Sequence, residues 1–200
     1  MMTLYLSMAG FALAASISPG PVNVVALSSG VSHGLRATLR HVAGATLGFV
    51  LLLVLAGLGL AELLRGWPAA AVLIRWAGVA FLLWMGWTLW RSDGRSGGGI
   101  ADAEPPPAPS VLQGAAMQWL NPKAWVAALA GVGAYAGDDP ARLWIFAGLY
   151  FVICYLSVAC WAYAGARLRH LLADRRRMRL FNRAMAALLA ASAVHIGIAT

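Results

Sequence analysis

The chain is short of charge. Only 11% of its 200 residues are Asp, Glu, Lys or Arg, where a soluble domain carries roughly a quarter. With 61% hydrophobic residues, a globular core of this length cannot hide so much apolar surface. Acidic residues are scarcest, seven against fifteen Lys and Arg, and Glu62, Asp138 and Asp139 stand only at the ends of apolar runs. No Lys or Arg precedes the first such run, and apolar sequence continues well past the small-residue stretch "FALAAS". That run is therefore expected to be a membrane span rather than a cleaved secretory signal. There is no HExxH pair, no intramembrane Asp pair and no G-x-S-x-G elbow, so neither an enzyme nor a resident metal or cofactor is expected. Cysteine is nearly absent too. Cys154 and Cys160 lie six apart in one run, a spacing that neither holds a metal nor faces the pair together, and read as small packing residues.

Apolar runs of membrane-spanning length are what the sequence has in abundance. Six are read, at about 3–30, 41–61, 70–90, 112–136, 143–166 and 182–199. They predict an all-α integral membrane protein of six transmembrane helices. The formal charge of +8 is unevenly placed. Arg36, Arg40, Arg91, Arg95 and the seven arginines from Arg167 to Arg183 follow helices 1, 3 and 5, while only Arg65, Arg75 and Arg142 fall on the other side. This is the positive-inside signature, with both termini outside. The basic run "RLRHLLADRRRMRLFNR" accordingly reads as an anchor on anionic lipid headgroups rather than a nucleic-acid site.

The Gly-, Pro- and charge-rich segment 91–111 reads as a flexible cytoplasmic linker between two three-helix units, 1–90 and 112–200. The units share a weak plan. "SPGP" interrupts helix 1 around Pro19 and "NPK" interrupts helix 4 around Pro122, while Gly44 and Gly148 correspond in helices 2 and 5. Three spans per unit make the second copy enter from the opposite face, an inverted repeat whose paired interruptions point to a midplane substrate site. A broken helix is tolerated in hydrocarbon only where it lines a protected cavity, and its freed backbone groups then become ligands.

Lys123 is the sharpest single residue. It falls near the middle of helix 4, where a charge costs about 2.5–3.5 kcal/mol on insertion scales. It is expected either to stay charged in a wet cavity and meet an anion, or to be neutral. Gln118 and Asn121, with Ser16, Ser18 and Asn23 on helix 1, supply neutral donors and acceptors suited to a zwitterion. "GVSHG", "GATLG" and "GAYAG" are small-xxx-small patterns, read as packing either between the halves or in a homodimer. His33 and His41 flank the cytoplasmic end of helix 2 and could relay protons, although interfacial histidines are mostly bystanders.

With "SPGP", "HGLRATLRHVAGATLG" (carrying Gly34, Arg36, Gly44 and Gly48) and "QWLNPKAW" assembled, the chain resembles the LysE/RhtB family of bacterial amino-acid exporters over nearly its whole length. The resemblance implies a six-helix inner-membrane carrier moving amino acids outward, driven by the proton gradient. Many relatives carry Asp or Asn directly after PGP, where Val22 stands here and Asn23 follows; Thr38 replaces a glycine. "ALSSGVSHGLR" with "AGATLGF" is similar to the cysteine/O-acetylserine exporter branch, which implies a small, neutral, polar substrate of the cysteine/O-acetylserine, threonine or homoserine class. The expected substrate site comprises Ser18, Pro19, Gly20, Pro21, Asn23, Gln118, Asn121, Pro122 and Lys123. A membrane scaffold that transports nothing is the alternative, with the prolines as simple kinks. A channel would need a continuous polar stripe, and no helix carries one.

Overall fold

The computed structural model describes residues 1–60, 66, 68–91, 108–137, 139–172 and 174–198. Glu62, Arg65, Arg95, Asp138 and the linker between 92 and 107 lie outside the described residues. Every described element is helical.

The first apolar run is broken where its prolines stand. Helix α1 spans Met2–Ile17, and α2 spans Pro21–His33, with the two axes bent by 60°. Ser18, directly before Pro19, is extended, as steric conflict with the proline ring requires. Pro21 is the first residue of α2, where its fixed φ suits the helix and its missing N–H costs nothing. A single residue then joins α2 to α3: Gly34 has φ 80°, a conformation that an L side chain would strain.

Helix α3, Leu35–Leu55, runs on into a kinked turn at Ala56–Leu60, where Gly59 has φ 99°. It begins six residues before the expected 41. Arg36 and Arg40 ended the apolar run but not the helix, because both project as exposed side chains from its first turns. Helix α4 spans Pro68–Trp90. Helix α5, Val111–Trp119, opens on a capping box in which the Ser110 hydroxyl accepts from Gln113 N (3.2 Å) and Ser110 N donates to Gln113 Oε1 (2.8 Å). Helix α6, Pro122–Gly131, again has proline first, and passes into a π-helical turn at Val132–Ala136. Helix α7 spans Pro140–Leu168 and α8 spans Arg175–Ile198.

Among the described residues three helical stretches are long and apolar enough to cross a membrane: Leu35–Leu60, Val72–Trp90 and Pro140–Leu168. The α1–α2 pair makes a fourth if counted as one broken span. The remaining two runs are helical without meeting that test. Run 112–136 is divided at Leu120 and Asn121 into two short helices, and α8 begins on the basic stretch "RRRMR".

The principal helix pairs all join the first half of the chain to the second: α3 with α5, α2 with α7, α4 with α8, and α7 with α3 and α1. Small residues allow the closest of these. A Cβ on Gly44 would overlap the Val111 backbone, and one on Gly114 would overlap that of His41, so α3 and α5 meet glycine against backbone from both sides. Gly30 and Gly165 do the same between α2 and α7. "GATLG" and the start of "GVSHG" therefore pack between the halves. Gly133, Gly137 and Gly148 meet nothing within 4 Å, so Gly148 does not share the packing role of Gly44.

Candidate functional site

Breaking a helix after Ile17 removes the N–H partners of its last carbonyls, and hydrocarbon offers no replacement. The structure supplies a donor to each. Ser18 N serves Ala14 O (3.3 Å), and the Ser18 hydroxyl donates to Ala15 O (3.2 Å). Asn23 Nδ2 donates to both Ser16 O (3.0 Å) and Ser18 O (2.8 Å). Trp161 Nε1, from α7, reaches Ile17 O at 3.0 Å. Lys123 Nζ donates to Ser18 O (2.8 Å), to Ser18 Oγ (2.8 Å) and to Pro19 O (3.3 Å), and Val24 N closes the series at Gly20 O (3.0 Å).

Lys123 thus reaches back more than a hundred residues to the other half of the chain. It does not run out along α6 to a membrane surface. Its ammonium lies at the C-terminal, negative end of α1, where a cation is stabilised by the helix dipole as well as by hydrogen bonds. An ammonium has three N–H donors, and three oxygens take them.

The second break is closed from within. Asn121 Oδ1 accepts from Lys123 N (3.1 Å) and caps α6, and Trp125 Nε1 donates to Trp119 O (2.7 Å). Trp119 in turn donates from its own ring to Gly48 O in α3 at 3.0 Å. The two half-helix N-termini therefore differ. The start of α6 is occupied by its own asparagine, whereas Gly20 caps α2 without a side chain and leaves that N-terminus open. Backbone groups at both ends were expected to face a substrate; only the α2 end is free to do so.

Between the breaks lies a cavity of about 40 Å³. That is room for water, which needs about 10–15 Å³ of such space, and well short of the roughly 300–1,000 Å³ of ligand pockets. Of the residues expected at the site, Gly20, Asn23, Gln118, Asn121 and Lys123 line it. Ser18 and Pro19 stand behind Lys123 as its acceptors, and Pro21 and Pro122 serve as first residues of α2 and α6. The Gln118 side chain makes no hydrogen bond among the described residues, although the residue is buried. Arg36 and Gly34 lie at the α2–α3 junction, and Gly44 and Gly48 at the α3–α5 contact, all away from the cavity lining.

The far wall was not anticipated. Tyr150 and Cys154 of α7 face the cavity beside Ser16, whose buried hydroxyl has no well-formed hydrogen bond among the described residues. Phe49 stacks on Tyr150 with ring centroids 4.3 Å apart, and Phe146 meets it edge-on at 5.6 Å. Cys154 is thus a lining residue as well as a packing one, with Thr46 Oγ1 4.0 Å from its sulfur; Cys160 is exposed. Positions 150, 154 and 158 repeat at four and so share one helix face, but an apolar i, i+4 stripe marks a packed face equally well. Trp161 carried no signal at all. His41 is fully buried within α3. No cluster of three or more metal-ligating side chains occurs among the described residues.

A broken helix is thus held by a lysine from the opposite half, beside a cavity with a free amide. Comparison with known proteins decides the family: the LysE type translocator model matches residues 13–200. The chain belongs to that family. It is a translocator and not an enzyme. The cysteine/O-acetylserine efflux proteins of Escherichia coli K12 and Shigella flexneri are each 30% identical to it over 190 residues, covering 93% of both chains. The corresponding protein of Escherichia coli O1:K1 matches to the same extent. No solved structure matches the translocator.

Proposed function

We propose that this translocator exports small, neutral, polar amino acids or their derivatives, of the cysteine and O-acetylserine kind, from the bacterial cytoplasm by alternating access. The observation that carries the reading is the junction of Lys123 with the Ser18 and Pro19 carbonyls beside the cavity. It places a cation, an open helix N-terminus and a run of carbonyls within one small volume. A zwitterion needs those groups: donors for its carboxylate and acceptors for its ammonium. Asn121 and the free Gln118 amide orient the substrate, and the Ser16, Tyr150 and Cys154 wall receives its side chain. Asn23 acts through the break, by holding the Ser16 and Ser18 carbonyls in place.

In this reading the chain crosses the inner membrane six times as two inverted three-helix repeats, residues 1–90 and 112–200, with both termini outside and 91–111 as the cytoplasmic linker. The arginine distribution supports that orientation. Export is driven by the proton gradient, for which the buried His41 is the available titratable group within α3. The packing of Gly44 and Gly48 inside the chain leaves a homodimer unnecessary to explain those patterns.

The experiment is amino-acid release from cells that carry the wild type or an empty vector, with internal pools raised by dipeptide feeding. A narrow set of amino acids released by the wild type alone is expected. Release of no amino acid beyond that of empty-vector cells, with the protein present in the membrane, would overturn the amino-acid reading.

A further inference from the structure

In the structure nothing of Lys123 is left to offer a substrate. Its three N–H donors are taken by Ser18 O, Ser18 Oγ and Pro19 O, all on one turn of broken backbone. The cavity beside it, about 40 Å³, is open to water and far smaller than a ligand pocket. A carboxylate can meet this ammonium only if the lysine leaves its oxygens. Leaving them has a consequence, because Pro19 O has no other described donor and Ser18 O keeps only Asn23. The part-buried Ser18 O then loses one of its two donors, and the more exposed Pro19 O falls back on water in the cavity.

We propose that in the empty translocator the Lys123 ammonium occupies the place of a substrate's α-ammonium, and that substrate loads by exchange. The incoming ammonium replaces Lys123 on the Ser18 and Pro19 oxygens, and the incoming carboxylate takes the displaced lysine together with the open α2 N-terminus. Both groups are R–NH₃⁺ with the same tripod of donors, so the carbonyls are satisfied before and after. Net charge decides the substrate class. A zwitterion leaves the site at the single positive charge it started with. An amine without a carboxylate would set a second cation against Lys123, with no described acidic side chain lining the cavity to neutralise it. A carboxylate without an amine would hold Lys123 but leave the Ser18 and Pro19 oxygens without their ammonium. The exchange thus selects for both charges on one carbon. It also makes loading a structural event, since the lysine that pins α6 to the end of α1 is released only by substrate.

The inference rests on the amino-acid reading above, and the test separates the two. The full-length protein in proteoliposomes is assayed for uptake of labelled L-serine, L-cysteine and O-acetyl-L-serine; uptake of none would overturn the amino-acid reading itself. With a transported amino acid in hand, ethanolamine and 3-hydroxypropanoate are tested as competitors against the unlabelled amino acid. Each lacks one of the two charges, and each should require at least about tenfold more to halve uptake. Competition by either at parity would overturn the exchange while leaving amino-acid transport standing. A second measurement uses Lys123→Ala, which vacates the oxygens. Methylammonium chloride, with sodium chloride as the ionic control, should raise the melting temperature of Lys123→Ala and leave the wild type unchanged. An equal response in both proteins, or none in either, would count against the exchange. Should Lys123→Ala fail to fold, the wild-type competition decides alone.

Discussion

Replacing Asn23 with leucine tests how the broken helix survives in the membrane. Leucine keeps the branching and heavy-atom count, so the substitution opens no cavity, and its bulkier methyl groups add to the loss, which makes the hydrogen-bond sum a lower bound. Asn23 Nδ2 bonds Ser16 O at 3.0 Å and Ser18 O at 2.8 Å, and the residue is buried. Ser18 O retains Lys123 after the change, so only one ordinary bond is lost there, about 1 kcal/mol. Ser16 O has no second described donor, and an unsatisfied buried carbonyl costs about 1–3 kcal/mol. The sum is about 2–4 kcal/mol of lost stability. Equilibrium unfolding of the purified protein in mixed micelles, titrated with dodecyl sulfate, measures it directly. A variant within about 0.5 kcal/mol of wild type would refute the reasoning, since changes of that size are those of indifferent surface sites. It would mean that the Ser16 carbonyl is served by water or lipid, and that the accounting of donors around the break is wrong.

Gln118→Leu should do the reverse: stability within about 1 kcal/mol of wild type, because no described bond is lost, and export reduced about tenfold or more, because a substrate ligand is lost. Unfolding and export assays on the same preparation check both halves. Gly44→Ala and Gly114→Ala each drive a methyl group into facing backbone and should cost about 1–3 kcal/mol, read by unfolding. In the double variant the helices are already separated, so the pair should cost less than the sum by more than about 0.5 kcal/mol; strict additivity would contradict the contact. Trp161→Phe removes the donor to Ile17 O at a more exposed position and should cost about 1 kcal/mol, less than Asn23→Leu in the same titration.

The two helix breaks could be seen in the sequence because proline acts locally. Pro21 and Pro122 stand first in their helices, with the interruptions directly before them, as fixed φ and a missing N–H require. Lys123 was legible for a different reason, a lone charge in an apolar run. Its partners were not, because Ser18 and Pro19 lie more than a hundred residues away and only tertiary packing brings them near. Tyr150 and Cys154 were missed since an apolar face lining a cavity and one packed on a neighbour are written with the same residues. Helix ends shifted at several of the runs that arginine flanks. The ends of α3 and α8 extend past the hydrophobic stretch because helix geometry continues into the interface while the hydropathy signal stops. The kink at Ala56–Leu60 and the π-helical turn at Val132–Ala136 left no mark on the hydrophobic pattern.

The account stands or falls on Lys123 as the link between the two breaks. Its most direct test is counterflow of a labelled amino acid into proteoliposomes bearing wild type or Lys123→Ala at matched protein levels. Insertion itself is favoured by losing the charge, so matched levels are attainable. The account predicts saturable exchange by the wild type and none above protein-free vesicles by Lys123→Ala. Exchange by the variant at the wild-type rate would contradict it, and would leave the lysine as a brace for a broken helix with no part in transport.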